Sequence, residues 1–384
     1  MIDKSSITMH PLSEYLTEYK DLNSDNLYKP VAVGRYGIRT RESIYSKELA
    51  KDYSKNRLIY KGTLTVGMGS VQMDIGILSE DVTYSVSPAY HTYKIGDIDY
   101  DYLRYCLQCR NMDMFTRYMK RGSRQGKSID LDRWITYEIP VYPRDMQLEI
   151  VDRINMAQSI IDMCQAELQK LDNLIKARFV EMFGTYPANE KGWAIGTIRD
   201  LVTEVRYGSS RKAAEGDSGK YPYLRMNNIT YGGELDLTDT KTIDIPDEEI
   251  DKCTVRRGDL LFNRTNSKEL VGKTCVYNRD EMMVLAGFVV RVRLNDRALP
   301  EFVSSFLNTE FSKQMLLNMC KAAIGQANIN AQELQNIGIY IPPIELQKEF
   351  VSFKAQVDKS KVVVQKALDE AQLLFDSLMQ RFFG

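Results

Sequence analysis

Histidine is almost missing from this chain. His10 and His91 are the only two in 384 residues, which leaves little room for a histidine-based metal centre or a general-base dyad. Long apolar runs are missing too, since no stretch reaches the roughly 18 residues that crossing a bilayer takes. The N-terminal MIDKSSITMHPLSEYL lacks the apolar core of a signal peptide, so a cytoplasmic location is expected. Charge of one sign is also lacking: 51 basic and 52 acidic residues leave a net charge of −1. No bulk polycation advertises a nucleic-acid partner, and any contact with DNA must rest on local patches. The six cysteines (Cys106, Cys109, Cys164, Cys253, Cys275 and Cys320) are spread too thinly for a disulfide framework and are expected to be reduced and mostly buried.

Motifs for catalysis are equally scarce. GKS at 126–128 and GKT at 272–274 invite a phosphate-loop reading, but that loop needs a glycine five positions before the Gly of GK, where Arg121 and Ser267 stand. Cys106 and Cys109 form a lone CxxC with no second pair or histidine to complete a metal site, so no metal is expected. No Gly-rich loop follows a strand, no carboxylate pair stands out, and no Asn- or Asp-Pro-Pro-aromatic motif for DNA methylation occurs. A catalytic role has no positive support.

What the chain does have is a repeat. Residues 143–184 and 343–384 align without a gap at an offset of 200, with Pro143 on Pro343, Gln147 on Gln347, Leu168 on Leu368 and Phe183-Gly184 on Phe383-Gly384. One register held over this length marks a duplicated architecture. In the first copy Ile150, Ile154, Ile161, Leu168, Leu171 and Ile175 follow steps of three and four, the spacing of a coiled-coil seam. The second copy has Lys354 and Lys361 where Ile154 and Ile161 would fall, so its stripe shifts to Phe353, Val357, Val364, Leu368 and Phe375. Neither stripe is buried alone, and packing one helix on the other is the economical solution. The two lysines suggest a face of the second helix kept for a partner.

Between these helices each half reads as mixed structure. Strand patterns lie at 56–66, 73–78 and 82–95, a helix at about 100–120, a loop at 121–134 and a strand at 134–143. The second half repeats the scheme with strands at 221–229, 256–265 and 282–294 and a helix at 299–320. Arg121, Arg124 and Lys127 follow Arg117 and Lys120 with little opposing acid; phosphate contact and a solvated helix end both fit. The polar loops 207–233 and 262–273, and 33–43 in the first half, are dense in Arg, Asn, Ser and Lys, side chains that contact phosphates or read base edges. Ordinary solvated loops fit the same composition.

PYLRMNNIT (222–230), GDLLFNRTNSKELVGK (258–273), GQANINAQELQNIGIYIPPIELQ (325–347), SIDLDRWITYEIPVYP (128–143) and the duplicated helices ending in FG resemble the specificity subunit of type I restriction-modification enzymes. The resemblance implies an α+β fold: two similar target-recognition domains, 1–142 and 185–342, separated by two long helices, 143–184 and 343–384, that pack as an antiparallel coiled coil. It implies a non-catalytic chain that binds double-stranded DNA at a split site and docks two methyltransferase subunits and motor-nuclease subunits. S-adenosylmethionine, ATP and Mg would then sit on those partners, with no cofactor on this chain. The DNA-contact candidates are Arg35, Arg39, Arg121, Arg124 and Lys127 in the first domain, and Ser209, Arg211, Arg225, Asn227, Asn228, Arg264, Asn266 and Lys273 in the second. Competing readings are a self-sufficient DNA-modifying or DNA-cleaving enzyme and a coiled-coil scaffold with no role on DNA.

Overall fold

Side-chain caps decide where the helices start. Asp99 accepts hydrogen bonds from the backbone N–H groups of Asp101 and Tyr102, both at 3.0 Å, and opens α1 (Tyr100–Cys109). α2 (Asn111–Tyr118) follows after a break at Arg110, and Asp130 caps the short α3 (Leu131–Trp134). α4 (Arg144–Phe183) then runs for 40 residues. In the second half come α5 (Ile250–Cys253), α6 (Pro300–Leu307) and α7 (Glu310–Met319), the last capped by Thr309. Asn330 opens α8 (Ala331–Gln335) in a reciprocal box with Glu333, and α9 (Ile344–Phe383) again has 40 residues. The computed structural model describes residues 7–34, 37–43, 52–122, 126–267, 269–320 and 327–384, apart from the side chains of 121, 122, 126 and 217.

Two readings from the sequence change. The single helix expected at 100–120 is two, α1 and α2, and its counterpart at 299–320 is likewise divided into α6 and α7. The loop expected at 121–134 is a hairpin, Met119–Gly122 against Gly126–Ile129, followed by α3. Asp130 ties the two together, because its carboxylate takes Lys120 Nζ at 2.8 Å and also caps α3.

The chain packs as two units, Met1–Gln165 with Lys366–Gly384 (unit 1) and Ala166–Gln365 (unit 2). Each long helix is thus shared between them. Unit 1 has a four-stranded antiparallel sheet in the order Leu16–Tyr19, His91–Ile95, Thr63–Met68, Met73–Leu78. Unit 2 has the same arrangement in Val202–Tyr207, Val289–Leu294, Leu260–Asn263, Thr274–Val276. A two-stranded pair beside α4 or α9 also recurs, Thr8–Pro11 with Glu138–Val141 and Ala194–Thr197 with Gly338–Ile341. The outer parts differ. Unit 2 adds a second four-stranded sheet (Lys241–Ile243, Tyr221–Leu224, Met283–Leu285, Thr254–Val255), where unit 1 has two separate strand pairs, Val31–Gly34 with Gly37–Thr40 and Arg57–Ile59 with Tyr84–Val86.

In each unit the two long helices run in opposite directions and their apolar stripes join the core. In unit 1 Ile150 and Ile154 of α4 pack in one cluster with Met379, Phe382 and Phe383 of α9. In unit 2 Phe179, Met182 and Phe183 of α4 cluster with Phe350 of α9. Ile161 and Val357 are buried, and Leu168, Leu171, Ile175, Phe353, Val364, Leu368 and Phe375 are half-buried. The repeated glutamines explain part of the repeat. Gln147 accepts from Asp99 N at 2.9 Å and donates to Tyr142 O at 2.8 Å; Gln347 accepts from Leu299 N at 2.9 Å and donates to Pro342 O at 2.9 Å. Each buried amide therefore joins the start of its long helix to the segment that begins α1 or α6.

Lys354 and Lys361 do not form an open face. Lys354 pairs with Asp358 at 2.5 Å, while Lys361 is held by Asp172 at 2.6 Å and by Glu234, with only 14% of its side chain exposed. The reason is local: each lysine stands on the inner side of α9, where an unpaired ammonium would be costly.

Candidate nucleic-acid interface

In unit 2 the strand Leu260–Asn263 ends at Arg264, and three elements meet there. Arg264 donates from Nε to Asn328 Oδ1 at 3.1 Å, and its guanidinium lies 4.8 Å from the centre of the Tyr207 ring. Tyr207 in turn accepts from Ala331 N at 3.0 Å, and Thr265 Oγ1 donates to Asn328 Oδ1 at 2.9 Å. A short strand pair, Thr265–Asn266 with Ala327–Asn328, fixes the backbone. Nε is committed and the plane is stacked, so the two terminal amino groups remain as a preorganised fork for a bidentate acceptor. Tyr207 and Asn328 were not candidates from the sequence, although Tyr207 opens the polar loop 207–233 and Asn328 lies in the quoted stretch 325–347.

Several other candidates are engaged within the scaffold. Ser209, 3% exposed, uses its hydroxyl to accept from Arg211 N at 3.2 Å, which turns the loop. Asn228, 2% exposed, accepts from Arg225 N at 2.8 Å and donates to Asp236 O at 2.8 Å, holding the 225–239 loop closed. Both side chains are buried with these partners. Arg211 forms a two-pronged ion pair with Glu249 at 2.9 and 3.3 Å, and Arg225 is bound to Asp239 at 2.9 Å. Asn266 Oδ1 accepts from Ser267 N, and its amide nitrogen meets the buried Asn263 once that amide is turned to satisfy Phe288 O and Thr265 O. Asn227 is exposed. Lys273 is buried and donates to Met226 O at 2.8 Å.

In unit 1 Arg39 is exposed on the strand Gly37–Thr40 and lines a cleft of about 860 Å³ together with Gln72, Arg104 and Gln108. Arg121 and Lys127 are cross-strand partners in the hairpin, and Lys127 is exposed. Arg35 and Arg124 lie outside the described residues, as does the side chain of Arg121. Two of the five cations near that hairpin do have acids: Arg117 pairs with Asp113 at 2.7 Å and Lys120 with Asp130 at 2.8 Å. Among the described residues, no three or more His, Cys, Asp or Glu side chains are grouped to hold a metal ion, and no helix is long and apolar enough to cross a membrane.

Residues 190–371, which include the Arg264 cluster and the start of α9, match the type I restriction modification DNA specificity domain. That segment is similar to the specificity domain of this family, and the curated relatives it resembles are type I specificity subunits. It is 23% identical over 257 residues to the type I restriction enzyme EcoKI specificity subunit of Escherichia coli K12, covering 63% of this chain and 55% of that protein. It is 25% identical over 194 residues to the putative MjaX specificity subunit of Methanocaldococcus jannaschii, covering 50% of this chain and 45% of that one. The chain thus spans about half the length of these relatives. In fold it resembles the S subunit of a type I system from M. genitalium, with a TM-score of 0.56 at 13% identity, covering 100% of this chain and 98% of the other. A chain from a structure of type I complex assembly gives a TM-score of 0.58 at 16% identity, covering 98% of this chain and 97% of that one. Both of these solved chains thus share this chain's fold over nearly its whole length.

Proposed function

We propose that this chain is the DNA-recognition subunit of a type I restriction-modification complex, with each unit reading one part of a split double-stranded target. The carrying observation is that one frame is built twice, down to Gln147 and Gln347, while the loops it displays differ. A duplicated frame with divergent loops suits two readers of different sequence. The Arg264 fork is the best-formed reader in unit 2, matched in geometry to the O6 and N7 acceptors of guanine. Methyltransferase subunits then modify adenine with S-adenosylmethionine, and motor-nuclease subunits use ATP and Mg; this chain positions them and carries out no chemistry.

The long helices act as a ruler in this reading. Forty residues at 1.5 Å each give about 60 Å, an upper bound of about 17 base pairs for the unread gap at 3.4 Å per pair. Mapping methylated adenines genome-wide, with and without this gene, tests the proposal: a bipartite motif should vanish when the gene is removed. An unchanged methylation map overturns it, and methylation or cleavage by the purified chain alone overturns its non-catalytic part. Inserting one heptad into both helices should lengthen the gap by about three base pairs and leave both half-sites as they were.

A further inference from the structure

In unit 2 three segments close on one peptide. α7 approaches Gly272, whose φ is +78° and where an added Cβ would lie 2.8 Å from Leu316 Cδ1. The 226–233 loop approaches from the other side through Gly233, at φ +88°, where a Cβ would lie 2.3 Å from Asn308 Nδ2. These two glycines permit the approach. As a result Lys313 of α7 donates Nζ to Gly272 O at 3.2 Å, and the next residue, Lys273, donates Nζ to Met226 O at 2.8 Å. Tyr231, 53% exposed, forms the rim, with its ring centre 4.9 Å from Lys313 Nζ.

This pairing of cations differs from three lysines of α9 in the same unit. Lys348, Lys354 and Lys361 each have a carboxylate within 4.0 Å, whereas among the described residues neither Lys273 nor Lys313 has one. Each ammonium carries three donors, and one carbonyl takes one of them. Lys273 is only 7% exposed. Two like charges, one buried and one half-buried, without a counter-charge destabilise the free protein. Lys176 of α4 adds a third positive charge to the field at Lys313. A group with several anionic oxygens supplies what is missing. At the position 200 residues earlier stands Asp113, paired with Arg117 at 2.7 Å, so unit 1 lacks this arrangement.

We infer that Lys273 and Lys313, with Tyr231 at the rim, form a seat for one phosphate of the DNA backbone. The inference rests on the DNA-recognition reading above. Lysines in such a seat fix register on the duplex and carry no sequence preference of their own.

The test is a salt titration of DNA binding by the full chain in complex with its methyltransferase subunits, on target and non-target duplexes. Lys313→Gln should lower the slope of log affinity against log salt by about 0.9. It should also weaken both duplexes about tenfold, leave the methylated sequence unchanged, and be rescued by Lys313→Arg. The variant removes a charge repelled by Lys273 and Lys176, so its melting temperature should hold or rise, which separates lost binding from lost folding. An unchanged slope and affinity, in a wild-type complex that does select its target, overturns the seat alone. A wild-type complex without target selection overturns the recognition reading as well. Inorganic phosphate is the second probe: if it stabilises wild type and not Lys313→Gln while DNA binding stays equal, the seat takes a free anion and the DNA assignment falls.

Discussion

Unit 1 and unit 2 close their cores with residues 200 positions apart, yet with different chemistry. Unit 2 gathers Phe179, Phe183, Phe302 and Phe350, with Phe183 lying 4.9, 5.0 and 5.7 Å from the other three rings. At the corresponding places unit 1 has Met379, Phe383, Tyr102 and Ile150, and Phe383 meets one ring of this set, Tyr102, at 5.1 Å. The helix that ends one half of the chain thus completes the core of one unit, and its copy completes the other. Duplication preserved the positions and let the side chains drift. The same drift put Lys354 and Lys361 where Ile154 and Ile161 stand, and unit 2 compensates with Asp358, Asp172 and Glu234.

The largest expected effect would break this comparison at its centre. Phe183→Ala should destabilise unit 2 by about 3–5 kcal/mol, and Phe383→Ala should cost unit 1 somewhat less because one aromatic contact is lost instead of three. Hydrogen exchange read separately in the two units checks this. Each variant should release protection in its own unit first, and equal loss in both would mean that the shared helices make one cooperative body. Next come the glutamines. Gln147→Leu and Gln347→Leu should each cost about 2–3 kcal/mol, since both orphan a buried backbone N–H and a carbonyl. Similar values in urea melts would show that the hydrogen-bonded frame is equivalent in the two units even where the cores are not.

Much of that frame was legible. The offset of 200 is visible because Gln147, Gln347 and the helix ends do the same work twice, and buried hydrogen-bonding groups tolerate little change. The seam was legible from Ile150 to Ile175 because its spacing follows the helical turn. Lys361 was misread for the opposite reason: its partners, Asp172 and Glu234, are 189 and 127 residues away, and no local pattern joins them. Arg291 is a second example. It is 1% exposed in VVRVRL and bound to Glu204 at 3.0 Å, yet nothing in that strand separates it from Arg293. Among the site candidates, residue type pointed to polar loops without saying which side chains the loops consume. Ser209 and Asn228 look like readers and are fasteners. Arg264 looks the same in sequence, and only Tyr207 and Asn328 reveal its preorganisation.

Arg264→Ala sharpens the comparison on the functional side. It should weaken target binding by about 1–3 kcal/mol if its fork reads a guanine, and it should relax one position of the half-site read by unit 2 only. Methylation mapping in cells carrying the variant checks this, and a change confined to the other half-site would reverse the assignment of units to half-sites.

The smallest effect concerns two lysines of unit 2 whose surroundings pull in opposite directions. Burial works against the charge of Lys361, but Asp172 and Glu234 outweigh it and raise its pKa. Its stabilising contribution is present below the unfolded value of about 10.4 and fades only as pH rises through the higher folded value. Lys313 is pulled down to about 8 by burial, with Lys273 and Lys176 adding repulsion. Lys273 just before the strand Thr274–Val276, Lys176 on α4 and the phenol of Tyr231 on the loop are the titratable or charged groups facing it. Below pH 8 Lys313 is charged in both states and its penalty is fully present. Between about 8 and 10.4 the unfolded chain holds more protons, so unit 2 gains stability as pH rises. Lys313→Gln should flatten that rise and Lys361→Met should not. If a backbone phosphate occupies the seat, it restores the charged form, so DNA binding takes up a proton and affinity falls as pH passes 8. Affinity that stays level in wild type over this range would leave Lys313 a buried lysine with no anion to meet.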